Sequence, residues 1–227
     1  MINCNYIKDN YLKKFSTSLK GINYEKKGIW FSEILFIFSF CEYLKPQLLL
    51  ESGRARGQST LCLSKLLSHV EILSIEHKKG NEDSYIAENR LKKQTNVKLI
   101  YGDSFDCLKK IDFKTNFLML IDGPKNELAV DLAQIILKHQ KCIGVFMHDC
   151  NKGSIERSFE NIHNGISVFS DEINFSESFR YLDIECYNDK RMPYSCSGEE
   201  QQSYGPTVGF FLKPELSNLN LLRDLIL

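Results

Sequence analysis

Residues 48–67 read LLLESGRARGQSTLCLSKLL. An apolar run closes on Glu51, Gly53 and Gly57 follow four apart, and apolar residues then recur at helical spacing. Strand, glycine turn and helix in that order make the opening unit of an α/β sheet, and in open sheets this turn meets a ligand beyond the carboxyl ends of the strands.

The same alternation continues along the chain. Apolar β-type runs occupy 47–51, 71–76, 97–101, 116–122 and 142–149, and helical patterns lie around 59–67, 81–94, 104–111 and 126–139. Each run is nearly continuous in apolar residues, as strands covered on both faces are. The expected architecture is α/β, a doubly wound (Rossmann-like), mostly parallel seven-stranded sheet. After Asp149 the pattern changes: 154–163 reads as helix, and VGFFLK at 208–213 as a last strand closing the sheet antiparallel. Residues 1–45 are expected to form a helical N-terminal cap and 46–227 a single ligand-binding domain. The aromatic and polar stretch 169–207 is expected to serve as a lid over the acceptor.

Length and charge limit the function. The 227 residues suit one medium domain, and the formal net charge of zero builds in no general attraction for nucleic acid or anionic membrane. Eight cysteines are scattered without a CxxC pair, the usage of reduced thiols in a cytoplasmic protein. The most apolar segment, GIWFSEILFIFSFCEYL at 28–44, carries Glu33 and Glu42 and is too short and too charged to span a bilayer or act as a cleaved signal. Nucleic acid and membrane are therefore not expected as partners; a small-molecule acceptor is, and a homodimer stays open.

The predicted strands end on Glu51, Glu76, Gly102-Asp103-Ser104, Asp122 and His148-Asp149. This acidic edge argues against phosphate. A P-loop needs GxxxxGK[ST], whereas GRARGQST has too few residues between its glycines and Gln58 where lysine belongs. The dinucleotide pattern GxGxxG is absent as well. What remains is E-x-G-x-x-x-G with a second acid, Glu76, at the next strand end, which suits a ligand bearing an ammonium, a ribose diol and an adenine without phosphate. S-adenosylmethionine is such a ligand. Glu51, Gly53, Gly57 and Ser59 are the candidates for its methionine end, Glu76 with His77 for the ribose, and Asp103, Ser104 and Asp122 for the rest of the cofactor edge.

The pattern resembles class I S-adenosylmethionine-dependent methyltransferases over 48–149 and the terminal strand. Within that class it is similar to the catechol and caffeoyl-coenzyme-A type of O-methyltransferase, through Gly57-Gln58-Ser59 and the D-x-x-K of DGPK at 122–125. The resemblance implies O-methylation of a small polar molecule, with Asp122 and Asp149 helping to bind Mg2+ or another divalent cation and Lys125 acting as base. His148 is an alternative base. The family has asparagine after the strand-five acid; here Cys150 stands in that place and Asn151 follows.

Each residue also has a plainer reading. Glu51 and Glu76 could be solvated strand ends, Asp103 a helix cap, Asp122 a turn former, Lys125 a surface lysine and His148 a structural hydrogen-bonding histidine. Arg54 and Arg56 could close on the cofactor carboxylate or face solvent. A non-catalytic module on the same fold and a nicotinamide-dependent oxidoreductase are the competing functions. The first has no need of the acids and the D-x-x-K, and the second is disfavoured by the glycine spacing. A nucleic-acid amino-methyltransferase is disfavoured because DGPK has no aromatic to stack a base.

Overall fold

The apolar runs become strands because both faces of the sheet are covered. The computed structural model describes residues 1–25, 27–183 and 205–226. Its strands are β1 (Leu48–Ser52), β2 (Glu71–Glu76), β3 (Val97–Tyr101), β4 (Phe117–Ile121), β5 (Cys142–Met147), β6 (Ser167–Phe169) and β7 (Gly209–Leu212). The helices are α1 (Cys4–Ile7), α2 (Lys13–Ser18), α3 (Phe31–Leu44), α4 (Gln58–Leu66), α5 (Glu82–Leu91), α6 (Ser104–Leu108), α7 (Glu127–Leu137), α8 (Ile155–Ser158) and α9 (Ile173–Phe179). A π turn, Lys8–Leu12, joins α1 to α2.

The strands form one sheet in the order β3-β2-β1-β4-β5-β7-β6. β1 through β5 are parallel and β7 runs antiparallel to both β5 and β6. The expected seven-stranded sheet with its antiparallel last strand is thus observed. The chain winds outward from β1 in one direction and from β4 in the other, so strand order reverses between β1 and β4, where open α/β sheets bind ligands.

Alternation along the central strands divides the core in two. Leu49, Leu118, Leu120, Phe146 and Phe210 join the cluster under α3 and α4, while Leu50, Met119, Ile121, Met147 and Phe211 join the cluster under α7. α7 presents Ala129, Leu132, Ala133, Ile136 and Leu137 to that face, the spacing of one helical stripe. α3 is buried without interruption from Ser32 to Cys41, and Phe40 lies 4.6 Å from Phe210 and 6.2 Å from Phe146 between ring centroids. The N-terminal residues are helical as expected, but their last helix is an interior layer of the sandwich. Each such phenylalanine contributes about 1.5–3 kcal/mol of burial, so this helix belongs to the core.

β6 has three residues, too few for a period to show in sequence. Of the stretch expected to be a lid, Phe169 ends β6, and α9 buries Phe175 and Phe179. Residues 184–204 lie outside the described residues. Among the described residues no helix is long and apolar enough to cross a membrane.

Candidate active site at the carboxyl edge of the sheet

Pairing continues one step past the strands and brings their ends level. Gly53 N donates to Ile75 O (3.0 Å), Asp122 N and Gly123 N to Ser52 O (2.8 and 3.0 Å), His148 N to Ile121 O (2.9 Å) and Gly102 N to Glu76 O (3.0 Å). Gly53, Glu76, Gly102, Asp122 and His148 therefore share one edge, centred on the β1/β4 reversal.

The glycine loop is built for close packing of backbone on backbone. Gly53 has φ +90, and a Cβ there would lie 2.5 Å from Gly123 N and 2.7 Å from the Asp122 carbonyl carbon. Its lack of a side chain lets β1 and β4 leave the sheet side by side. Gly57 (φ +73) precedes α4, and a Cβ there would press on Leu91 of α5. Between them Ala55 also adopts a left-handed conformation, φ 46, and its N–H donates to Glu76 Oε2 (2.8 Å).

Glu51 does not face the open edge. It is 1% exposed and accepts hydrogen bonds from Ser59 Oγ, Thr60 Oγ1 and Ser74 Oγ. Burial pushes its carboxyl upward against these three donors and the charge of Arg54. Glu51 and Ser59, expected at the methionine end of a cofactor, lie in the floor of the loop. Arg54 lies in the same floor, 2% exposed, with Nη1 donating to Ser74 O (2.5 Å) and its guanidinium 4.8 Å from the Tyr101 ring centroid. Arg56 pairs with Glu25, Glu82 and Asp83.

Glu76 stays at the edge, receiving Ala55 N and the N–H of the exposed His77 (2.9 Å). A carboxylate offers about four acceptor positions, so two such donors leave room for a diol. Asp103 caps α6, accepting from Asp106 N (3.2 Å), which is its plainer reading. Ser104 Oγ lies 2.6 Å from Ser52 Oγ and ties α6 to the end of β1.

Across the reversal the ends of β4 and β5 carry a charged cluster. Lys125 Nζ bridges Asp122 Oδ1 and Asp149 Oδ2 at 2.6 Å each. His148 Nδ1 stands 3.1 Å from Asp122 Oδ1 and 3.0 Å from Asp149 Oδ1, aligned for a good hydrogen bond to neither. His148 Nε2 is 3.5 Å from Glu33 Oε2. Burial works against every charge here, but the mutual attraction outweighs it. Asp122 and Asp149 are held below the usual carboxylate range, Lys125 above the usual lysine range, and His148 well above the usual imidazole value by Asp122 and Glu33. The expectation that Lys125 serves as base meets an ammonium locked on by two carboxylates.

Asp122, His148 and Asp149 can each direct one ligand atom to within 4.8 Å of the others. A hard divalent cation takes several oxygens, and this set offers two carboxylates and an imidazole with the Lys125 ammonium already bridging the oxygens. Cys150 supplies none: it is 1% exposed, its thiol is pushed up to about 12 by burial, and its sulfur would lie 3.0 Å from a Cβ at Gly209. As arranged, the donors do not fit such a cation.

Sequence reading missed Glu33, Ala55 and the hydroxyls of Thr60 and Ser74. Glu33 had a signal: a single acid inside the apolar run 29–41, which must find partners when buried. The others depend on tertiary contacts that spacing does not encode.

No model of a known protein family matches the sequence, and neither does any curated protein. Solved structures share the fold. The O-methyltransferase TomG from Streptomyces achromogenes, involved in tomaymycin synthesis and crystallised with S-adenosylmethionine, is 13% identical, with a TM-score of 0.54 over 88% of this chain and 88% of its own. The methyltransferase PaMTH1 of Podospora anserina, bound to S-adenosylhomocysteine, is 14% identical, with a TM-score of 0.50 over 92% of this chain and 93% of its own. At these identities the likeness is one of fold alone.

Proposed function

We propose that the protein transfers the methyl group of S-adenosylmethionine to an oxygen of a small polar molecule. The observation that carries this reading is the pairing of two features on one edge: Glu76 beside the glycine loop, and the Asp122–Lys125–His148–Asp149 cluster across the strand reversal. The shared fold with TomG, which was crystallised with that cofactor, supports it.

Glu76 Oε1 and Oε2 keep lone pairs for the ribose hydroxyls, and Ala55 N and His77 N hold the carboxylate in place. Bound there, the cofactor supplies an electrophilic methyl on a sulfonium. An in-line displacement needs the acceptor aligned and one proton removed. Asp149, at 39% side-chain exposure, is the more open of the two aspartates and is placed to accept the acceptor's hydroxyl. A carboxylate held ionised by Lys125 and His148 is a weak base. That suffices, because the acceptor's proton becomes strongly acidic as its oxygen bonds to the methyl. Lys125 and His148 then keep the acids oriented and charged, and Asp122 fixes both cations.

Calorimetric titration with S-adenosylhomocysteine, NAD and ATP tests the reading. We expect S-adenosylhomocysteine to bind at low micromolar Kd or tighter, about −8 kcal/mol or better, and the two nucleotides to give no saturable heat. Saturable binding of NAD without S-adenosylhomocysteine would replace this function with an oxidoreductase.

A further inference from the structure

One acid reaches the site from outside the strand ends. Glu33 sits in the first turn of α3 and is 2% exposed. Its Oε2 accepts the N–H of Trp30 (2.8 Å) and faces His148 Nε2 at 3.5 Å. Its Oε1 accepts both Thr207 N (2.6 Å) and Thr207 Oγ1 (3.1 Å). Thr207 O in turn accepts Cys150 N (2.7 Å), one residue past Asp149. His148 thus has a carboxylate at each edge of its ring, Glu33 facing Nε2 and Asp122 and Asp149 facing Nδ1.

A capping role explains only part of this. A glutamine at the same position could also receive the Trp30 N–H. It could not accept from Thr207 with one end and from Trp30 with the other, since one end would be a donor facing a donor. Burying a full carboxylate costs several kcal/mol unless its lone pairs are met, and among the described residues its hydrogen-bond donors are Trp30, at the start of α3, and Thr207, at the foot of β7.

We infer that Glu33 is a positioning residue of the active site, fixing the His148 ring from its Nε2 edge and joining α3 and the foot of β7 to the end of β5. The role in methyl transfer rests on the function proposed above; the contact itself does not.

Nitrogen NMR of the histidine side chains at fixed pH tests it without ligand. The chain has five histidines, and the His148 signals are identified by their loss in His148→Gln. Glu33→Gln should move the His148 ring nitrogens and leave the other four histidines in place, with S-adenosylhomocysteine affinity within about threefold. Thr207→Val removes one donor to Glu33 and should move the same signals in the same direction; it decides the matter if Glu33→Gln does not fold. His148 signals unmoved in a folded Glu33→Gln, or in Thr207→Val where the first fails to fold, overturn the inference. A wild-type chain that does not bind S-adenosylhomocysteine overturns the methyltransferase function alone, because the nitrogen signals are read on the free protein.

Discussion

Replacing Gly53 by alanine isolates what the glycine loop is for. At φ +90 an L-residue carries roughly 1–2 kcal/mol of backbone strain, offset by about 0.4–1 kcal/mol because alanine restricts the unfolded chain. The added Cβ would also stand 2.5 Å from Gly123 N and 2.7 Å from the Asp122 carbonyl carbon, both backbone atoms. Forcing such an overlap into a packed site costs about 1–3 kcal/mol. Gly53→Ala should therefore lose roughly 1–4.5 kcal/mol. Gly21 is the control, with φ +80 and nothing within 4 Å of a built Cβ, so Gly21→Ala carries the strain alone. It should lose about 1.5 kcal/mol or less. Urea unfolding of both variants reads the difference, provided their m-values agree with wild type. Equal losses would refute the reasoning, since the close approach of β1 and β4 would then contribute nothing. The displaced atoms also carry Asp122, so S-adenosylhomocysteine binding should fall in Gly53→Ala and stay intact in Gly21→Ala.

Three further outcomes follow from the same geometry. Glu76→Ala should weaken S-adenosylhomocysteine by about 1–3 kcal/mol through loss of charged hydrogen bonds, and Glu76→Gln by less; calorimetry showing no change in either would misplace the ribose. Methyl transfer should survive chelator treatment within about twofold, whereas a loss of about a hundredfold restored by magnesium, the scale of a lost Lewis acid, would put a cation between Asp122 and Asp149. Burial works to raise the Glu25 carboxyl, but hydrogen bonds and charge from Arg90 and Arg56 outweigh it and hold the carboxyl below its usual range. A depressed folded value gives stability that is present above the unfolded value of about 4.3 and lost as pH falls through the folded one. Arg90→Met should flatten the loss of stability below about pH 5, measured by thermal melts from neutral to acid; an unchanged slope would remove this network from the acid response.

The strand ends were legible because burial on both faces leaves an apolar run that stops at a charged residue. The run at 71–76 coincides with β2, buried from Ile72 to Ile75 and ending on Glu76. β6 was not legible, since three residues hold no period, and its place is set by pairing with β7. The glycine turn was legible from Gly53 and Gly57, whereas Ala55 adds a left-handed position between them that its own side chain disguises. Asp122 and Lys125 were picked out together through the resemblance of DGPK to a family's D-x-x-K. The protonation of Lys125 was not, because it depends on Asp149 at the end of another strand. The contact between Glu51 and Ser59 was not legible for a related reason. An acid at a strand end and a hydroxyl on the next helix look available in sequence, and only the fold shows that they satisfy each other.

Glu33 also alters the charge balance of the site. Asp122, Asp149 and Glu33 supply three carboxylates, and Lys125 and protonated His148 supply two cations, leaving one negative charge in excess. On the proposed reaction that excess matches the sulfonium before transfer. Afterwards the sulfur is neutral and the acceptor's proton rests on Asp149, so the site keeps the same total charge. Removing one charge from such a cluster changes its attraction for a cation by roughly 1–2 kcal/mol at surface-like dielectric. Glu33→Gln should therefore weaken S-adenosylmethionine, which carries the cation, by about five- to thirtyfold relative to S-adenosylhomocysteine, which does not. Competitive titration of the two ligands against wild type and variant reads that ratio directly. A ratio unchanged in a folded Glu33→Gln would confine Glu33 to holding His148 and place the compensation of the sulfonium on Asp122 and Asp149 alone.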